Sequence, residues 1–376
     1  MNINTKYIYR LGHQPEFGAN EFKFLTGFDP EFYNHNYLFS NQDLAVNKTG
    51  ALVFKAEIIT TTSRDQANFK NFLTDNLKKA FELFPAKKIG IALPNSELNE
   101  KQIILMAKTI GYKKINLLSP GKEPTIGNFI NTANWLIALE LENNWVLARV
   151  TEFSNQEFWS LLDQQLPITD MKRGVINLKL ARTLMNFTDS KKIWDPFCGV
   201  GRNLIAGIDL KKEFIASDIS PECLPEAIKN YNFSLDFYPN DQDQAKLKDI
   251  FEADITTLNS DNTGLFNDFS ISTEGYLGHN FTNKPTFKEM QQELKKITSL
   301  WQLALKNFET LKITEIVTCL PFYYYQKEYV KVELDNLLTD TKYKYQLFIN
   351  SKKSLFYRRK DSFVGHQVIK LKLVVD

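Results

Sequence analysis

Apolar and polar positions alternate in two different rhythms along this chain. Through residue 165, short apolar runs at 7–11, 35–39, 51–60, 88–93 and 114–118 predict strands. Helical spacing of apolar positions predicts helices over 67–83, 98–110 and 157–164. Runs at 135–142 and 145–152 flank Asn143-Asn144, a pair that suits the turn of a hairpin. The mixture predicts α+β organisation, divided into a 1–80 subdomain and an 81–165 module.

From residue 166 the rhythm becomes regular. A connector over 166–174 precedes a helix at 178–187, with Leu178, Ala181, Leu184 and Met185 on one face. Then follow strand 192–194, helix 202–209, strand 213–217, helix 221–231, and strands 249–253 and 268–272. Helix 286–308, strand 313–319, helix 326–338 and strands 343–349 and 365–375 complete the series. The span 232–248, rich in Asn, Asp, Gln and Lys, reads as a loop insertion. Such alternation predicts an α/β doubly wound sheet in a 166–376 domain, with ligands at the carboxyl ends of its strands. The last two strands suit an antiparallel hairpin at the sheet edge.

The stretch Trp194-Asp195-Pro196-Phe197-Cys198-Gly199-Val200-Gly201 carries the strongest chemical signal. A carboxylate closes a strand, a glycine turn follows, and a helix opens. Such a turn admits a nucleoside and aims helix N–H groups at it. A dinucleotide fingerprint needs a third glycine, but Leu204 stands there. No Gly-Lys-Ser/Thr follows, so a phosphate P-loop fails as well. The acid suits a cationic ligand, which points to S-adenosylmethionine (SAM) and methyl transfer. Ser217-Asp218-Ile219 ends the next strand, where a carboxylate can accept both ribose hydroxyl protons. Asp254-Ile255 follows the third, suited to an adenine amino group with Ile255 against the ring. Thr273-Glu274-Gly275-Tyr276-Leu277-Gly278 follows the fourth, where a target base could stack and hydrogen-bond.

Composition changes this picture little. A chain of 376 residues suits two or three domains, and 43% hydrophobic with 24% charged residues is ordinary for a globular protein. Cys198, Cys223 and Cys319 have no metal-ligand spacing, and the four histidines are scattered, so no metal is expected. A signal pattern and a membrane-length apolar run are both missing, so a cytoplasmic, membrane-independent protein is expected. Net charge is +2, yet 166–192 holds six basic against two acidic residues, and 341–376 nine against two. Lys172, Arg173, Arg182, Lys352, Lys353, Arg358 and Arg359 are therefore candidates for nucleic-acid phosphates. Their alternative is a solvated face, or an Arg paired with a local carboxylate.

Leu178-Lys179-Leu180-Ala181-Arg182, the turn at 195–201, Ser217-Asp218-Ile219-Ser220 and the loop at 273–278 together resemble the THUMP-associated RNA methyltransferases. The closest likeness is to the branch that methylates guanosine N2 in tRNA. Tyr357-Arg358-Arg359-Lys360-Asp361-Ser362-Phe363-Val364-Gly365-His366 is similar to that branch's tail, and Tyr9-Arg10-Leu11-Gly12-His13-Gln14-Pro15-Glu16 to its start. The resemblance implies a class I Rossmann-like methyltransferase domain, a THUMP-like RNA-binding module over 81–165, SAM as cofactor and tRNA as partner. A small activator subunit is compatible with it. Asp195, Pro196, Phe197, Cys198, Gly199 and Gly201 would surround the cofactor, Asp218 and Ile219 its ribose, Asp254 and Ile255 its adenine. Thr273, Glu274, Gly275 and Tyr276 would form the catalytic loop.

That loop departs from the family pattern. Thr273 replaces an Asp or Asn, and Glu274 and Gly275 replace two prolines. Gly275 should raise the cost of ordering the loop by roughly 0.5–1 kcal/mol, while Glu274 offers a substitute acceptor. The expected activity is methylation of an exocyclic base amine. The alternatives are a DNA amino-methyltransferase, acting on adenine N6 or cytosine N4, and a SAM- or RNA-binding protein without catalysis.

Overall fold

The computed structural model describes residues 5–34, 36–83, 88–94, 98–118, 122, 134–169, 176–238, 246–258, 264–266, 268–281, 283–360 and 362–374. It falls into two compact units, Met1–Glu157 and Phe158–Asp376.

The first unit is built on β1 (Tyr7–Leu11), β2 (Phe32–Tyr33), β3 (Tyr37–Ser40), β4 (Leu52–Ser63), β5 (Lys88–Ala92), β6 (Lys114–Leu118), β7 (Trp135–Glu140) and β8 (Asn144–Phe153). These strands form one sheet in the order β2-β3-β1-β4-β8-β7-β5-β6. The long β4 pairs antiparallel with β8, so residues before and after 80 share that sheet. Helices Phe69–Leu83 and Glu100–Ile110 bury Phe72, Leu77 and Ile103 with Ile91 and Leu147. The hairpin expected around Asn143-Asn144 is present as β7 and β8. Helix Pro15–Thr26 was not expected from apolar spacing. Its signals were local: Pro15 in the first turn, and Gly27 at φ +76° closing the helix onto the Lys23 carbonyl.

The second unit carries β9 (Lys192–Asp195), β10 (Glu213–Asp218), β11 (Lys246–Glu252), β12 (Ser270–Thr273), β13 (Glu315–Tyr325), β14 (Glu328–Lys331), β15 (Tyr343–Tyr345), β16 (Leu355–Tyr357) and β17 (Val364–Leu373). Their order is β11-β10-β9-β12-β13-β17-β15, with β14 on β13 and β16 on β17. β9 to β13 run parallel, and β17 returns antiparallel beside β13. The expected doubly wound α/β sheet with an antiparallel edge is thus present. The order reverses at β9, which opens a crevice at the carboxyl ends of β9 and β12.

Two expectations are corrected. The span 232–248 is not a loop at its ends, where the helix Cys223–Leu235 and β11 from Lys246 reach into it. Residues 326–338 do not form a helix. β13 continues to Tyr325, Gln326 and Lys327 turn at φ +48° and +69°, and β14 returns. Only Leu334–Leu337 is helical there. Cross-strand aromatics favour this hairpin, with Phe322 and Tyr324 rings 4.6 Å and 5.9 Å from that of Tyr329. The turn lacks the Gly or Asn that would have announced it.

Helix Phe287–Thr310 opens on a capping box between Thr286 and Glu289. Its Ile297, Trp301 and Phe308 form the core with Trp194, Ile271 and Ile316. No helix among the described residues is long and apolar enough to cross a membrane.

Candidate active site

Asp195, the last residue of β9, is 1% exposed. Burial pushes its carboxyl up to about 7, against the pull of three donors. The Thr273 hydroxyl donates to Oδ1 at 2.6 Å, the Asn203 amide to Oδ2 at 3.0 Å, and the Phe197 N–H to Oδ1 at 3.2 Å. The carboxylate thereby ties the end of β12 to the helix Arg202–Ala206.

The turn after it is held from both sides. Cys198 N–H donates to the Ser217 carbonyl at 3.0 Å, and Gly199 N–H to Asp218 Oδ2 at 2.9 Å. Gly201 sits at φ +83°, where a Cβ would lie 3.1 Å from Ala227. Glycine is required here by the backbone and by the packing of helix Cys223–Leu235. From that helix Asn230 donates to the Val200 carbonyl at 2.9 Å. Gly199 differs: at φ +47° nothing lies within 4 Å of a would-be Cβ. The chain passes open space there. Pro196 and Cys198 are buried, and burial pushes the Cys198 thiol up. Phe197 leans on Trp301, with rings 5.5 Å apart.

Asp218 ends β10 half-buried and accepts the N–H groups of Gly199 and Ser220, at 2.9 Å and 3.0 Å, on separate oxygens. Each oxygen keeps lone pairs for further donors. Ile219, next to that acid in the chain, is an apolar side chain 64% exposed. Asp254 folds back on its own turn, and Oδ1 takes the N–H and hydroxyl of Thr256 at 2.8 Å and 2.7 Å. Ile255 departs from expectation. It is 4% exposed and packed in the core, so its side chain presents little surface to an adenine ring.

The loop after β12 divides its labour. Thr273 is fully buried and its hydroxyl serves Asp195, so that side chain is not presented to a target base. Glu274 Oε1 meets His366 Nε2 at 2.7 Å. Gly275 sits at φ +75°, where a Cβ would come 2.8 Å from Trp301 and 3.0 Å from the Thr318 hydroxyl. The glycine that looked like a loosened proline is demanded by this close approach. Tyr276 is 45% exposed and borders an open groove of about 490 Å³, shared with His279, Phe281, Glu289, Glu293 and Lys296. The sequence reading missed Asn203, Trp301 and His366 as site residues. No local pattern marks any of them. His366 lies in the family-like tail without matching its motif.

The candidate phosphate contacts separate. Arg182 is corrected: it is fully buried, forked onto both oxygens of Asp209 and placed 4.8 Å over the Trp159 ring. Arg358 is half-buried and closes its own loop. It donates to the Lys360 carbonyl at 3.1 Å and lies 4.4 Å over Tyr324. Lys353 pairs with Asp335 at 2.7 Å, Lys352 is half-buried, and Arg359 is exposed. Lys172 and Arg173 lie outside the described residues.

No family model and no curated protein matches this chain. Its fold is similar to those of several solved structures. One is named a predicted N6-adenine-specific DNA methylase, from Listeria monocytogenes; it is 11% identical over 97% of this chain and 95% of that one, with a TM-score of 0.47. Another is named a possible methylase, from Clostridium difficile 630, 14% identical over 99% of both chains, with a TM-score of 0.47. A third is magnesium protoporphyrin IX methyltransferase from Synechocystis PCC 6803 with bound SAM, 12% identical over 57% of this chain and 96% of that one, with a TM-score of 0.33. At these identities and TM-scores the likeness says nothing about substrate.

Proposed function

We propose that this protein transfers a methyl group from SAM to an exocyclic amine of a nucleic-acid base, guanosine N2 in tRNA. The observation that carries the reading is the clustering of Asp195, Asp218 and the open Gly199 turn at the reversal of strand order. The residues fit the cofactor. Space at Gly199 admits a ligand against the backbone, Asp218 keeps lone pairs for ribose hydroxyls, and exposed Ile219 offers an apolar surface beside them. When bound, SAM supplies a methyl group activated on a sulfonium.

The protein's own part is alignment and charge. Tyr276, half-exposed beside the groove, is suited to stack on an extruded base. Thr273 being committed to Asp195, Glu274, the one carboxylate of residues 273–278, is left to accept hydrogen bonds from the amine. Such bonds localise the nitrogen lone pair as the methyl arrives. Exposed Arg359 and half-buried Lys352 are assigned to RNA phosphates, and the THUMP-like likeness of 81–165 assigns RNA contact to the first unit.

The test is transfer of labelled methyl from SAM to bulk tRNA and to DNA, followed by nucleoside digestion. N2-methylguanosine from tRNA supports the proposal. Methylated adenine or cytosine from DNA replaces it with the DNA reading. SAM binding without transfer to either leaves a non-catalytic binding protein.

A further inference from the structure

Glu274 and His366 are 92 positions apart, yet they meet across the top of β13. Glu274 follows β12, which pairs with β13 through Thr273 and Thr318. His366 lies on β17, opposite Pro321 of β13 and Tyr357 of β16. Gly275 leaves room for this crossing, since a Cβ there would press on Thr318 and the Cys319 carbonyl. Both partners are 18% exposed, so the contact is shielded but reachable from the crevice.

The imidazole is itself held. Its ring makes an edge contact with Tyr357 at 5.8 Å, and the Tyr357 hydroxyl accepts from Asn177 Nδ2 at 2.8 Å. Nε2 faces a carboxylate, which fixes a proton on that nitrogen. Nδ1 is buried without a hydrogen-bond partner among the described residues. A bare acceptor in that place costs less than an unpaired N–H, so the tautomer with its proton on Nε2 is favoured over the one with it on Nδ1.

We propose that His366 is a positioning residue for Glu274: its Nε2–H fixes Oε1 and so holds the carboxylate in place to accept the proton of the methylated amine. This rests on the reading of the site as an amine methyltransferase. In the step, the amine nitrogen bonds to the methyl carbon as the carbon–sulfur bond breaks and its electron pair goes to sulfur. The positive charge passes to nitrogen and leaves as a proton to Glu274. The pair goes from a charge of −1 to 0. Other charged or titratable groups facing it among the described residues are Arg202, Cys319 and Tyr357.

The experiment measures single-turnover methyl transfer to bulk tRNA at one fixed pH, with SAM affinity measured separately. His366→Leu lowers the rate about 10- to 100-fold, the range for losing a partner that orients a functional group, with SAM affinity within about twofold. His366→Gln keeps an N–H donor toward Glu274. It restores most of the rate that His366→Leu loses. A His366→Leu rate equal to wild type, or a His366→Gln rate as low as that of His366→Leu, overturns the role. Wild-type protein that binds SAM but methylates neither tRNA nor DNA sinks the methyltransferase reading, and this role with it.

Discussion

Asp195 makes stability a measurable function of pH. Its carboxyl is raised from 3.8 to about 7, chiefly by burial. Between those values the folded protein holds a proton that the unfolded chain has released. Unfolding therefore sheds that proton, and stability falls as pH rises. The slope is about 1.4 kcal/mol per pH unit, and the window of roughly three units amounts to about 4 kcal/mol. The loss flattens above about pH 7, once the folded carboxyl is ionised too. Asp195→Asn removes the titration and keeps the shape. Asn203 can rotate its amide to face the new one, because its Oδ1 is buried without a partner among the described residues. Equilibrium urea unfolding of both proteins, without cofactor, at pH 5, 6, 7 and 8 tests this. The stability of the variant relative to wild type should climb by about 1.4 kcal/mol per unit from pH 5 to 7 and then level. A difference that stays flat to about 0.5 kcal/mol (less than half of one unit's slope) refutes the buried, proton-holding carboxyl.

Other outcomes follow from single contacts. Asp218→Ala should weaken SAM binding by calorimetry about 10-fold or more, as expected for lost hydrogen bonds to a charged group; unchanged affinity would remove Asp218 from the ribose site. Gly275→Ala should cost about 2–4 kcal/mol in thermal unfolding, from the left-handed backbone and the 2.8 Å approach to Trp301; a neutral result would contradict the loop geometry. Arg182→Met should destabilise by about 2–3 kcal/mol by removing the guanidinium forked onto the partly exposed Asp209, while RNA affinity measured by filter binding stays unchanged. Arg359→Ala should reduce the salt dependence of RNA binding by about one ion, and an identical slope would take that residue out of the interface.

The order of strands and helices in the second unit was legible because apolar runs of period two and stripes of period 3.6 survive without tertiary help. The parallel strands β9 to β13, the glycine turn and the acids at the ends of β9 and β10 stand where that rhythm put them. The hairpin of β13 and β14 was not legible. Its turn uses Gln326 and Lys327 in a left-handed conformation that cross-strand aromatics impose. Arg182 misled for a related reason: a basic residue in a basic segment looks solvated until Asp209 and Trp159 are folded around it.

By itself the sequence determined the alternation of elements, the two glycines that the turn needs, and the carboxylates that could meet a nucleoside. These are properties of neighbours within a few residues, where backbone sterics and side-chain period act directly. The tertiary structure alone decided which of those groups remain available. Thr273 joins Asp195 across 78 positions and is withdrawn from the crevice, while Glu274 joins His366 across 92 and stays at its edge. Ile255 sinks into the core and Ile219 stays in solvent. Burial and partner choice depend on what the chain brings together from far apart, and no local pattern records them.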